Sequence, residues 1–552
     1  MVAGLALLAA CDEDNGPNIP IAPSNVTVAG TSPSTVQVAW NASPGDVDGY
    51  EVARATGAGS VAFTVLDTVN ASPFSDAGLS PDEAYTYRVV ALRGTGRSPE
   101  VQGTGRTSRT GGSDITGNIT SNRTLSRDTV YTLKTYVQVT NGATLTIQDG
   151  TRILGDAGSA LFITRGAKIE AKGTAARPIV FTSSRSAGNR RAGDWGGLII
   201  IGNGVINRTG AIQIEGTGVG SNNPAQTYGG TGNANNADNS GTLEYVRIEY
   251  AGFAPTTGSE LNSLTLAAVG SGTTLRYVQT MYGLDDSFEW FGGAVDGKYL
   301  VSYESGDDHF DASEGYVGRN QFMIAFQSVV PTVATGAGGA ASDPQGFEVD
   351  GCQDPDGGSC GAAGNNAEPF TIPVFANWTV VGAPTGVLPA GGGTGAVIRR
   401  GAGGFYVNGA LARWSRSAIL LDGSATATRI ANGQLVMNSI LLAENATPFL
   451  TGTGRSSLEL APNAIEVSGA STASLFTAFP ATTSTGTTAA SFNWTPAAGS
   501  PLLSGGMATF TGTLQARAGS FVTATSYRGA APAAGQPNAS WWAGWTNYAR
   551  DF

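Results

Sequence analysis

Through the first hundred residues, apolar and polar positions alternate in short runs. In Val36-Gln-Val-Ala-Trp40, Gly49-Tyr-Glu-Val-Ala-Arg54 and Tyr85-Thr-Tyr-Arg-Val-Val-Ala-Leu92 the apolar residues share one face, the period of a half-buried strand. Such runs, divided by turn residues from Ile21 to Thr107, predict a seven-strand sandwich. A Gly/Thr/Ser/Arg-rich stretch from Gly103 to Ser113 reads as a linker. Beyond Ile115 the turns continue but the sandwich pattern stops. Gly142-Ala-Thr-Leu-Thr-Ile147 is echoed by Gly166-Ala-Lys-Ile-Glu-Ala171, and Leu243-Glu-Tyr-Val246 by Leu275-Arg-Tyr-Val278. Spacings of 24 and 32 residues fit solenoid coils with loops of varying length. Each coil supplies two or three short strands that stack in parallel and bury Leu, Ile and Val in one continuous core. Ile419-Leu-Leu421 and Ser439-Ile-Leu-Leu442 carry the theme on. The predicted fold is all-β, a small sandwich followed by a right-handed parallel β-helix. Because the repeats are degenerate, a large sandwich or a propeller is the competing architecture.

Composition narrows the picture. The 552 residues carry 42 Asp and Glu against 31 Lys and Arg, a formal charge of −11, which argues against a nucleic-acid partner. Charged residues are 13% of the chain and Gly numbers 79, so long amphipathic helices are disfavoured and short strands with tight turns favoured. With 41% apolar residues wholesale disorder is excluded, and no apolar run reaches the ~18 residues of a membrane span.

Three segments resemble known families. Residues 21–107 resemble a fibronectin type III domain, an immunoglobulin-like sandwich: Pro23 opens it, Trp40 fits the core tryptophan, and Tyr85 and Tyr87 sit in a late strand. That resemblance implies a spacer without catalytic residues. After a linker at 108–114, residues 115–552 are expected to form the β-helix with a C-terminal cap, and most of Asp114 to Phe552 is similar to bacterial surface lipoproteins with pectin-lyase-like β-helices. The motifs are Gly193-Asp-Trp-Gly-Gly-Leu-Ile-Ile-Ile-Gly202, Gly283-Leu-Asp-Asp-Ser-Phe-Glu-Trp-Phe-Gly-Gly293 and Trp545-Thr-Asn-Tyr548. Such helices include lyases, hydrolases, adhesins and inert spikes, so the fold alone does not decide an activity. Residues 1–20 resemble a lipoprotein signal and linker: the apolar run Val2 to Ala10 ends in Leu-Leu-Ala-Ala before Cys11, followed by Asp12, Glu13 and Asp14. Cys11 is then the lipidated residue, and the expected location is the outer membrane or cell surface. No Lys or Arg precedes the run, so the true start is expected upstream. In an exported protein, Cys352 and Cys360, eight positions apart around a turn-rich stretch, read as one local disulfide rather than a metal site.

One stretch carries unusual chemistry. Asp285-Asp-Ser-Phe-Glu289 and Asp307-Asp-His-Phe-Asp311 repeat acid-acid-x-Phe-acid at a displacement of 22 residues, a plausible coil length. Between Asp285 and Glu314 lie nine acids, including Asp296 and Glu304, and one base, Lys298. Stacked at ~4.8 Å, each carboxylate pair repels by about 0.9 kcal/mol in water and ~3.5 kcal/mol at an effective dielectric of 20. Compensation is expected from Ca²⁺, which takes six to eight oxygens, from Arg319, or from the single histidine, His309. Phe347-Glu-Val-Asp350 offers a third rung, with Val333 to Ser342 read as an inserted loop.

Three readings stand for this cluster. The acids form a solvated face over stacked phenylalanines, or a structural Ca²⁺ site of Asp285, Asp286, Glu289, Asp307, Asp308 and Asp311, or a catalytic pair with Asp286, Asp308 and His309. The last resembles the paired Asp of β-helix glycoside hydrolases, although their other motifs and the Arg/Lys cluster of a lyase are not visible. Trp290 and Arg319 are the binding candidates. Trp195 is expected to pack at a glycine turn, and Trp541, Trp542 and Trp545 to cap the open end of the core. The favoured function is non-catalytic surface binding, to a polysaccharide or a neighbouring protein. A carbohydrate-active enzyme is the alternative. The lipoprotein reading makes a direct prediction: intact mass of the membrane-extracted protein begins at Cys11 with acyl chains attached, and a mature chain that starts elsewhere without them overturns it.

Overall fold

The computed structural model describes residues 19–57, 63–81, 83–108, 111–217, 226–255, 259–352, 359–450, 464–480 and 492–549. Cys11 lies outside them. The chain forms two compact units, the first made of the residues up to Leu79 and Glu83–Ser108, the second of Ser80–Asp82 and the residues from Arg109. Strands Ser24–Ser32, Thr35–Asn41 and Phe74–Ala77 make one antiparallel sheet of the first unit, and Thr64–Val69, Gly49–Thr56, Ala84–Arg93, Gly96–Arg97 and Val101–Arg106 make the other. Their alternating apolar residues, Val36, Val38, Trp40, Tyr50, Val52, Tyr85, Tyr87 and Val89, meet as one core. Trp40 lies edge-on to Tyr50 at 5.3 Å, and the Tyr87 hydroxyl donates to Asp76 at 2.7 Å.

The second unit is a right-handed parallel β-helix. Nine strands from Tyr136–Val139 to Ser417–Leu421 form one face, each paired in parallel with the strand of the next coil. A 17-stranded sheet wraps the other faces. The sequence echoes sit in register: Thr144 opposite Lys168, Leu243 opposite Leu275, Phe288 opposite Phe310 and Phe310 opposite Phe347. Register follows burial, because a slip of one residue would turn every inward side chain outward. Inside, Phe288, Phe310 and Phe347 form a ladder with centroids 5.6 and 5.3 Å apart. Leu264, Leu300, Met323, Ile398 and Ile419 extend the same dry core.

Five long strands, Gly241–Glu249, Thr274–Met281, Asp296–Tyr303, Arg319–Phe326 and Val374–Val381, bend midway around a residue with positive φ: Tyr245, Tyr277, Tyr299, Phe322 and Asn377. This conformation costs an L-residue about 1–2 kcal/mol. Stacking offsets it: Tyr245 to Tyr277 at 4.3 Å, Tyr277 to Tyr299 at 4.4 Å and Tyr299 to Phe322 at 5.2 Å, each aromatic pair contributing roughly 0.5–1.5 kcal/mol.

The terminal tryptophans correct the sequence reading. They do not cap an open end of the core. Trp545 packs edge-on against Tyr245 and Tyr277, and Trp541 tilts against Tyr299 at 5.2 Å, so the C-terminal segment covers the side of the helix along its tyrosine stack. Removing a ring from the middle of this stack should be costly. Tyr277→Ala is expected to lose about 2–4 kcal/mol, and Tyr277→Asn less by roughly 0.5–1 kcal/mol, because Asn adopts positive φ more readily. Chemical denaturation of the two variants checks the order, and equal losses would remove the backbone argument.

Candidate functional site

On the nine-stranded face, strand alternation sends Phe288, Phe310 and Phe347 inward and the residues that follow them outward. Parallel register therefore sets Thr265, Glu289, Asp311 and Glu348 in one outer row. The turns entering these strands add Asp285 and Asp286, and one coil on, Asp307 and Asp308. Backbone donors fix the turns: the amide of Asp308 donates to Asp286 Oδ1 at 2.8 Å, and the amide of Gln345 to Asp308 Oδ1. Ser305 Oγ donates to the carbonyls of both Asp285 and Asp308, at 3.0 and 2.9 Å.

The face is partly shielded from bulk solvent. Insertions between the coils raise walls around it and leave a cleft of about 630 Å³. Arg208, Ile212 and Glu215, with Tyr228, Glu260 and Asn262, line it, and Asp343 joins from the loop before Phe347. Carboxylates dominate the lining, and Arg208 is the one cation among the described lining residues. Its guanidinium is engaged, pairing with Glu314 at 2.6 Å and donating to Ser359 Oγ at 2.7 Å, while the Tyr228 hydroxyl donates to the other Glu314 oxygen. Ser359 belongs to the loop closed by the Cys352–Cys360 disulfide, whose Cα atoms are 5.9 Å apart. The bridge therefore lies next to the segment that supports the Arg208 wall.

Three triads of carboxylate oxygens converge to within 4.8 Å: Asp285, Asp286 and Asp307; Asp286, Glu289 and Asp311; and Asp308, Asp311 and Glu348. Burial first, and repulsion from neighbouring carboxylates second, push Asp285, Asp286, Glu289, Asp307, Asp308 and Asp311 well above the ordinary carboxylate range. Glu215 is pushed up to about 7 by burial and by Glu260, and Glu348 to about 7 by burial and Asp350. Two acceptors at the cleft are buried without a hydrogen-bond partner: Asp311 Oδ1 and Asn262 Oδ1. A site rich in anionic and neutral oxygens, and poor in donors, suits a hard divalent cation.

Several sequence expectations change. The acids are not a freely solvated face: Asp286, Glu289 and Asp308 are each 5% exposed or less, while Asp285, Asp307 and Asp311 are half-buried. Trp290 is not a binding residue, because it points into the core and stacks on Phe288, Phe310 and Tyr316. Arg319 lies on the other sheet, where it forms a multiply bonded pair with Asp296, so neither belongs to the cleft. Glu304 also turns away, accepting from Ser328. His309 points inward as well. It is fully buried, its Nδ1 lies 2.6 Å from Ser302 Oγ, and burial holds its pKa down at about 3. A neutral core imidazole neither compensates the acids nor joins a catalytic pair with Asp286 and Asp308. Conversely, Glu215, Glu260, Asn262 and Asp343 were not legible as site residues. They come from insertions whose local sequence has no repeat, whereas Glu348 follows the Phe-acid echo.

The family described as a pectate-lyase like beta helix domain matches residues 117–497, and the fibronectin type III domain matches residues 21–104. Among solved structures, FN3tt is 19% identical over 16% of this chain and 97% of its own, with a TM-score of 0.15. The fn3 domain of human collagen alpha-1(XX) chain is 28% identical over 18% of this chain and 95% of its own, with a TM-score of 0.16. An Fn3-like protein from Clostridium thermocellum is 23% identical over 17% and 99%, with a TM-score of 0.15. These likenesses concern only that small share of the chain. No curated protein matches.

The raised carboxyls define a pH dependence for the metal-free protein. Glu215 and Glu348 hold protons in the folded chain that the unfolded chain releases near pH 4.5. Their stabilising contribution is therefore complete below that value and is lost as pH rises through about 7 for Glu215 and Glu348. In chelator, the melting temperature should be higher at pH 5.5 than at pH 8, each such carboxyl contributing on the order of 1–3 kcal/mol across the interval. Glu348→Gln should flatten part of the slope. A melting temperature that rises steadily from pH 5.5 to 8 in chelator contradicts the burial of these groups.

Proposed function

The chain belongs to the pectate-lyase-like β-helix family, and we propose that it is an exported, lipid-anchored surface protein that binds carbohydrate without turning it over, through divalent cations held in the acidic cleft. A pectate-lyase-like β-helix joined to a fibronectin type III domain is compatible with carbohydrate-related roles. The observation that carries the finer reading is the convergence of carboxylate oxygens to within 4.8 Å in triads. Glycoside hydrolysis uses two carboxyls about 5–9.5 Å apart with the sugar between them. Oxygens gathered on common points instead suit a cation. Three or four protein oxygens leave a Ca²⁺ ion with open coordination positions, and in a cleft of about 630 Å³ these are available to the carboxylates and hydroxyls of a glycan. An acidic polysaccharide fits best, because without cations the cleft would repel it.

Two further facts support this reading. A lyase acting on a uronate needs a basic group free to take a proton, and the Arg208 guanidinium is tied to Glu314 and Ser359. The Cys352–Cys360 disulfide suits an oxidising compartment outside the cytoplasm, as does the signal-like run before Cys11.

Immobilised acidic and neutral polysaccharides, probed with the full protein in Ca²⁺ and then in chelator, test the function. Binding is expected to acidic polymers only, to fall at least about tenfold in chelator, and to be lost in Asp286→Asn even with Ca²⁺ present. Binding indifferent to chelator overturns the cation reading. Oligosaccharide release that vanishes in Asp286→Asn replaces it with the enzyme.

A further inference from the structure

We propose that the cleft holds two divalent cations, bridged by the Asp286 carboxylate, while Arg399 occupies the electrostatic place of a third. The inference rests on the cation reading of the cleft and adds to it the number and position of the ions.

The three triads overlap in a particular way. The first, Asp285, Asp286 and Asp307, shares Asp286 with the second, Asp286, Glu289 and Asp311, and the second shares Asp311 with the third, Asp308, Asp311 and Glu348. A carboxylate offers two oxygens and about four lone-pair sites. Asp286 spends one of these on the Asp308 amide, which leaves it able to serve two ions while that hydrogen bond holds its orientation.

The second position has beside it a neutral side chain that hydrogen-bonds one of its carboxylates. Asn262 is 1% exposed, and its Nδ2 donates to Glu289 and to Thr265 Oγ1, the latter at 3.3 Å. That orientation leaves Asn262 Oδ1 buried at the cleft with no hydrogen-bond partner, as is Asp311 Oδ1. Buried acceptors without partners are costly. In the metal-free protein a protonated neighbouring carboxyl can give its one proton to only one of these acceptors at a time. A cation is the group that satisfies these acceptors together.

The third triad is already provided for. Arg399 pairs with Glu348 and, at 3.0 Å, with Asp350, and Arg400 pairs with Asp350 as well. Asp308 Oδ1 accepts from the Gln345 amide. A fixed guanidinium at this rung supplies positive charge without an ion, and a third divalent cation there would meet it. The first two triads hold five carboxylates, Asp285, Asp286, Glu289, Asp307 and Asp311, and no guanidinium pairs with any of the five among the described residues. Two divalent cations leave one negative charge on that group, one cation leaves three, and the difference favours the pair.

Native mass spectrometry of the full protein titrated with Ca²⁺ alone, with calorimetry as the second readout, tests the count. Two ions per chain are expected for the wild type. Asp286→Asn should bind none at the concentration that saturates the wild type, Asp307→Asn one, and Asp311→Asn one, since each of the latter empties a single position. Arg399→Gln should bind three. One ion in the wild type, or two in Asp286→Asn, overturns the bridge while the cation reading stands. Three in the wild type overturns the role of Arg399. None in the wild type overturns the cation reading itself. The wild-type count decides the proposal even where a variant fails to fold.

Discussion

The stacking of one coil on the next, in a register that places like residue over like, governs this molecule. In a parallel ladder each outward or inward row repeats at the strand spacing of about 4.8 Å. For apolar side chains the constraint is favourable. Phe288, Phe310 and Phe347 stack inside, and Tyr245, Tyr277 and Tyr299 stack at the corner, close enough to hold a backbone conformation that tyrosine otherwise avoids. For carboxylates the same constraint is unfavourable, since Glu289, Asp311 and Glu348 must share one row.

The fold carries that conflict because the two rows belong to the same strands. The core ladder makes the register worth keeping, and the register then imposes the acid row. Raised walls deepen the conflict by removing water, which drives the carboxyls toward their protonated forms. Nothing in the described packing requires so many acids at that place. A stretch that departs from the rule of pairing buried charge, inside a helix that otherwise obeys it, is where function is expected to lie.

Compensation differs along the row. At Glu348 and Asp350 the chain uses Arg399 and Arg400, and at Glu314 it uses Arg208 and Tyr228. Between them, around Asp286, Glu289 and Asp311, the neutral Asn262 donates to Glu289, and its own carbonyl oxygen is left without a donor. The cleft is thus graded from protein-compensated rungs to rungs that need something from outside. The disulfide loop sits by one wall rather than at the carboxylates, so its influence on the cleft passes through Ser359 and Arg208.

The sequence alone determined the two units, the coil lengths and the doubled acidic motif, because alternation at period two and repetition at 22 to 32 residues are local signals that survive without neighbours. It also exposed the third rung at Phe347-Glu-Val-Asp350, although a long insertion precedes it. Only the tertiary structure decided which way each residue of the motif faces. Trp290, Arg319 and His309 stand within or near the motif in sequence, yet strand alternation and the corners of the coil send two into the core and one to another sheet. In the other direction, Asn262 and Glu215 reach the cleft from insertions with no repeating signal. A side chain's face depends on pleat and register, and a wall depends on where a loop folds back. Both arise from contacts between residues distant along the chain, which a linear pattern does not encode.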